Sequence, residues 1–169
     1  MKYEFTHPDR FVAGTVGEPG ERAFYIQLRA GARLFSVAAE KAQVQAISNR
    51  LEIMVAEIRK TSPLITIEQL PVDDASLESP IDAEFQIGAM SLAWDESSQL
   101  ICVALFELED DEEESEGEVV EVNISIGMAL AFSRRSKAVV SAGRLPCPLC
   151  GIPIDPQGHL CPRANGYRR

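Results

Sequence analysis

A two-layer α+β domain, built on an antiparallel sheet with two amphipathic helices, is the fold class this sequence predicts. Three observations predict it. Short strand-like runs broken by turn chemistry occur in both halves of the chain; each set of runs is followed by a stretch whose apolar residues recur at helical spacing; and the two halves share this order. A sheet with one apolar face and helices with one apolar stripe bury both most simply as two layers.

The elements follow in order. RFVAGTV has a strand's composition, GEPGE is turn chemistry, and AFYIQLR reads as the returning strand of a hairpin, with RLFSV as a third strand. The period then changes. Val44, Ile47, Leu51, Met54, Val55 and Ile58 recur at three- and four-residue steps, predicting a helix over 40–60 that ends before Pro63. LITIEQL reads as an extra strand and PVDDASLESP, with a proline at each end, as a connecting loop. AEFQIGAMSLAW and QLICVALF form a second hairpin around Asp95-Glu96-Ser97-Ser98, and EVVEVNI is a further strand. Ser125 is a suitable N-cap for a helix through MALAFSRRSKAVVSAG, which Gly143 would end.

The shared order is that of a duplicated hairpin-strand-helix unit. Phe11-Val12-Ala13-Gly14 corresponds to Phe85-Gln86-Ile87-Gly88, and Val37, Ala46, Ile47 and Arg50 correspond to Val122, Ala131, Phe132 and Arg135. An acidic insertion over 107–121 absorbs the difference in spacing. The domain organisation expected is a core over 1–143 and a small appendage over 144–169.

Charge is distributed unevenly. The net charge of −10 equals the ten acids between Glu107 and Glu121, where no basic residue occurs, and the 16 other acids are balanced by 16 lysines and arginines. From Arg134 onward the sign reverses, seven basic residues facing Asp155 alone. Like charges this close repel and stay solvated, so the acidic run reads as a loop that disfavours nucleic acid as a partner. No long uncharged apolar run occurs, and MKYEFTHPDR carries charge where a signal peptide needs an apolar stretch; a cytoplasmic protein without a membrane span is expected. Cys102, alone within LICVALF, reads as a packed thiol. His7, beside Pro8, reads as a turn residue.

The chain's remaining cysteines lie near its end. Cys147 and Cys150 form a CxxC knuckle with Gly151 behind it, GIPIDPQG supplies the chemistry of a tight return, and His159 and Cys161 follow. Three thiolates and an imidazole suit tetrahedral zinc, and four protein ligands leave no open position, so the metal expected is structural Zn2+ in a C-terminal zinc hook. Beside it Arg144, Arg163, Asn165, Tyr167, Arg168 and Arg169 gather guanidinium, amide and aromatic groups fit to bind a ligand or an acidic partner. The glycine-rich stretch Gly14 to Gly20 lacks the lysine and spacing of a phosphate-binding loop. With no catalytic constellation elsewhere, the function expected is that of a non-enzymatic, zinc-stabilised adaptor docking a partner through the hook and basic tail. The alternative is an enzyme or ligand-binding protein for a phosphorylated or nucleotide-like small molecule.

GRLPCPLCGIPIDPQGHLCPRANGYRR and FVAGTVGEPGERAFYIQ together resemble the tail signature and opening segment of an uncharacterised bacterial family, a domain of unknown function found mainly in actinobacteria. The resemblance spans nearly the whole chain, departing at Leu145, where that pattern has proline. It implies no activity, since that family has no established biochemical function. It does imply a partner, since its members occur together with a histidine-phosphatase-like and a kinase-like protein.

Overall fold

The computed structural model describes residues 1–18, 20–112 and 116–142. These form seven strands and two helices: β1 (Lys2–Thr6), β2 (Arg10–Val16), β3 (Ala23–Ala30), β4 (Arg33–Ala39), α1 (Lys41–Thr61), β5 (Ala83–Asp95), β6 (Leu100–Glu107), β7 (Val119–Ile124) and α2 (Ile126–Ser141). Both helices start on built caps. Gln43 and Glu40 form a reciprocal capping box on α1, and the Ser125 hydroxyl accepts from the Met128 amide at 3.1 Å on α2.

The strands form one sheet in the order β1-β7-β6-β5-β4-β3-β2. It is mixed, which corrects the antiparallel sheet expected from sequence: β1 runs parallel to β7 and β4 parallel to β5. For β4 and β5 the reason lies in α1. A helix placed between two neighbouring strands returns the chain to the end from which it left, so α1 and the segment after it act as a crossover rather than as a unit's closing element. LITIEQL, expected as a strand, is irregular. Ile65 and Ile67 touch the core, but Leu64 is 96% exposed, and no strand position is left for the segment once β4 and β5 pair with each other. β1 was not anticipated.

The sheet curls strongly. Strands β1 and β4 are four places apart in the order, about 19 Å in a flat sheet. Yet the rings of Tyr3 and Phe5 on β1 lie 4.8 and 5.6 Å from that of Phe35 on β4. The two edge strands, β1 and β2, are consecutive in the chain and joined by only His7, Pro8 and Asp9, a link that spans at most about 14 Å. The His7 amide still donates to Asn123 of β7 and the Asp9 amide to Arg29 of β3, so the two ladders run to this joint from either side. His7 takes the turn there with φ 51°, in the left-handed region.

The core fills the space so enclosed. Phe5, Phe35, Phe85, Ile87, Ile101, Val103, Leu105, Val120, Val122 and Ile124 come from the strands, and Val44, Ile47, Leu51, Val55, Ile58, Ala129 and Phe132 from the helices. The helices pack side by side through small groups: the buried Ser133 hydroxyl donates to the Ser48 carbonyl and lies 3.0 Å from a carboxylate oxygen of Glu52. Lys137 pairs with the same carboxylate and, more than any other contact, holds it below its ordinary pKa.

The fold expectation also included a C-terminal zinc hook. Among the described residues no group of three or more His, Cys, Asp or Glu is placed to hold a metal ion, so the hook is removed from the fold description. The ligands expected for it, Cys147, Cys150, His159 and Cys161, lie outside the described residues.

Candidate functional site

The long connection from α1 to β5, residues 62–82, crosses β2 and β3 as a strap. Four side chains fasten it. Gln27 of β3, buried, donates to the Glu78 carbonyl at 3.0 Å and accepts from the Glu78 amide at 2.8 Å. Arg29 forms a forked pair with the Glu78 carboxylate. Arg10 of β2 forks onto Asp73, at 2.6 and 3.1 Å, and also donates to the carbonyls of Ala75 and Ser76. Arg135 of α2 donates to the carbonyls of Ala13 (2.7 Å), Asp73 (2.6 Å) and Ala75 (2.7 Å), and lies 3.5 Å from the Asp73 carboxylate. Between these points Leu77 presses onto Gly14, where any Cβ would meet it at 2.5 Å.

Burial and charge pull in opposite directions here. Arg135 is only 6% exposed, and that burial lowers its pKa from the usual arginine value. The Arg10 fork holds the Asp73 carboxyl below its ordinary value, so Asp73 stays ionised and serves both guanidinium groups. Glu78 is lowered likewise, first by Arg29.

Fastened in this way, the strap leaves a cleft of about 340 Å³ between itself, β2 and α2. Asp9, Arg10, Phe11 and Val12 line it from the first strands, Leu70, Pro71, Val72 and Asp73 from the strap, and Met128, Ala131 and Phe132 from the helix. Phe11 and Phe132 stack at 4.6 Å, 14° from parallel, and form its floor. The volume falls in the range of small-molecule sites. Its charged lining residues are Asp9, Arg10 and Asp73, of which Arg10 and Asp73 are paired with each other; the rest of the lining is apolar. A larger, open depression of about 580 Å³ lies over the acidic run, lined by Glu107, Glu109, Asp110, Asp111 and Glu112 with Gln86 and Leu108. Among the described residues its carboxylates form no group placed to hold a metal ion.

The residues expected to carry function are not those of this cleft. Cys147, Cys150, His159 and Cys161, and with them Arg144, Arg163, Asn165, Tyr167, Arg168 and Arg169, lie outside the described residues. With no metal-binding group among the described residues, the structural zinc and the zinc-dependent adaptor are corrected too: neither finds support. The cleft residues Arg10, Asp73 and Met128 were missed. A signal existed at Arg135, a charged residue on the otherwise uncharged buried stripe of Ala129, Phe132, Ser133 and Ser136, since such a residue has to find acceptors inside the fold.

The family described as "Protein of unknown function (DUF3090)" matches residues 3–161. The chain belongs to this family. The match covers all seven strands and both helices of the DUF3090 fold except the first residue of β1. No curated protein and no solved structure matches the chain. Membership in DUF3090 brings no activity with it, so function has to be read from the cleft. None of the helices among the described residues is long and apolar enough to cross a membrane.

Proposed function

We propose that this DUF3090 protein binds a compact, largely apolar small molecule in the cleft between β2, the strap and α2. One observation carries the reading: eight of the eleven lining residues are apolar, while Arg10 and Asp73 satisfy each other at one end. Arg10, the one cation among the lining residues, is committed to Asp73, and the Asp9 carboxylate accepts from the Gly31 amide at 2.7 Å, so the lining offers no unpaired cation to an anionic ligand; burying an apolar one against Phe11, Met128 and Phe132 supplies the affinity. Covering about 200 Å² of apolar surface is worth roughly 5 kcal/mol, a dissociation constant of order 0.1–1 mM. In this reading the protein works in the cytoplasm, and the phosphatase-like or kinase-like partner implied by the family resemblance is the natural user of its bound state.

The test is an NMR chemical-shift titration with the neutral, water-soluble probe indole, with native mass spectrometry of freshly purified protein for a co-purifying molecule. Saturable binding is expected in the wild type, and its loss in Ala131→Phe, which fills the cleft from α2 while the melting temperature stays within a few degrees. The reading is wrong if binding fails to saturate below about 10 mM, or saturates equally in the variant.

A further inference from the structure

β5 outruns its partner. Its parallel pairing with β4 extends only from Ser36 with Ala83 to Ala38 with Gln86, after which Gln43 of α1 takes the carbonyls of Ile87 and Gly88 at 2.9 and 3.3 Å. Beyond an irregularity at Ile87 to Met90, the register with β6 is unbroken from Met90 with Leu105 to Asp95 with Leu100. On its opposite edge, among the described residues, the backbone of Ala89 to Asp95 meets no strand and takes no hydrogen bond from any loop or side chain.

The matching edge of β2 is treated differently. There Arg135 takes the Ala13 carbonyl and Leu77 covers Gly14. Folded proteins blunt free edges with charge, proline or a covering segment, and a regular edge without them is a template for another strand. AMSLAWD has no proline and a single charge, at its end, in a chain that is 25% charged.

We propose that two copies of this chain pair antiparallel through this edge of β5, with two-fold symmetry, continuing one sheet across both. The stretch is complementary to itself. Centred on Leu92, the pairing sets Met90 opposite the second copy's Trp94 and Ser91 opposite its Ala93, and Asp95 meets Ala89, so no two like charges face each other. Met90, Leu92 and Trp94, half-buried on one face, join end to end, while the exposed Ala89, Ser91 and Ala93 form a narrow rib on the other.

The experiment is sedimentation equilibrium on the full chain. A mass of twice 18.5 kDa at micromolar concentration is expected, tightening with added salt because screening weakens repulsion between two chains of net charge −10. The double variant Ser91→Glu/Ala93→Glu changes only exposed positions and sets carboxylates directly opposite one another; dissociation should weaken the dimer by about 100-fold with unchanged circular dichroism. Mixing it with Ser91→Lys/Ala93→Lys should restore a one-to-one dimer. A wild-type monomer at all concentrations to about 1 mM, a dimer indifferent to the acidic pair, or no heterodimer on mixing would each overturn the proposal.

Discussion

At the scale of single residues, Arg135 sets the conditions for the cleft. It is a cation inside an otherwise uncharged helix stripe, and its three carbonyl acceptors come from β2 and from the strap. Replacing it with methionine keeps much of the volume and removes every donor. We expect Arg135→Met to cost about 2–4 kcal/mol in urea unfolding, because the buried Ala13 carbonyl and the half-buried Asp73 carbonyl would lose the donor that Arg135 supplies, while Ala75 keeps Arg10. Arg10→Gln, at the more open end of the same network, should cost no more than about half of that. Sequence showed the anomaly without its resolution: a charge on a buried stripe is visible in one dimension, but the acceptors, 60 and more positions away, are not.

Among the elements, those with a strong local period were legible. α1 lies where three- and four-residue spacing put it, α2 starts behind the Ser125 cap, and β2 to β7 occupy the strand-like runs bounded by turn chemistry. What failed was whatever depends on a distant neighbour. β1 is five residues long and exists because β7 receives it, and LITIEQL has a strand's composition but no edge to join. Pairing direction was equally invisible, being set by how α1 returns the chain. The N-terminal turn of α2 shows how closely the strap and helix are fitted: a Cβ on Gly127 would stand 2.3 Å from the Glu68 carbonyl oxygen, a backbone atom that cannot swing aside. Gly127→Ala should therefore destabilise despite alanine's better helix propensity. A loss of about 1–2 kcal/mol is expected, read as a fall in Tm of roughly 3–6 °C by calorimetry.

Over the whole molecule, the rolled sheet rests on one ring. Phe35, 1% exposed, touches Tyr3, Phe5 and, at 6.4 Å, Phe85, joining β1 to β4 and β5, with the Arg33 guanidinium lying over three of the rings. Phe35→Ala should cost about 3–5 kcal/mol. Because β1 has one strand partner and this aromatic contact, its amides should lose protection from hydrogen exchange before those of β3 or β6 do. Protection lost evenly across all strands would argue against that role. The distribution of charge was readable in full from the sequence: an excess equal to the whole net charge is confined to 107–121, and the rest of the chain, basic tail included, balances.

The joint at His7 has a consequence for the order in which this protein is made. β1 leaves the ribosome early, but the strand it zips onto is synthesised about 115 residues later, a wait of roughly 6–20 s at ordinary elongation rates. Through that interval Tyr3 and Phe5 are sticky side chains on an unpaired ribbon, and β2, β3 and β4 can assemble beside them without using them. A strand made before its six companions in the sheet is thus among the last to dock, and the rolled sheet is completed by a segment synthesised well ahead of its partner.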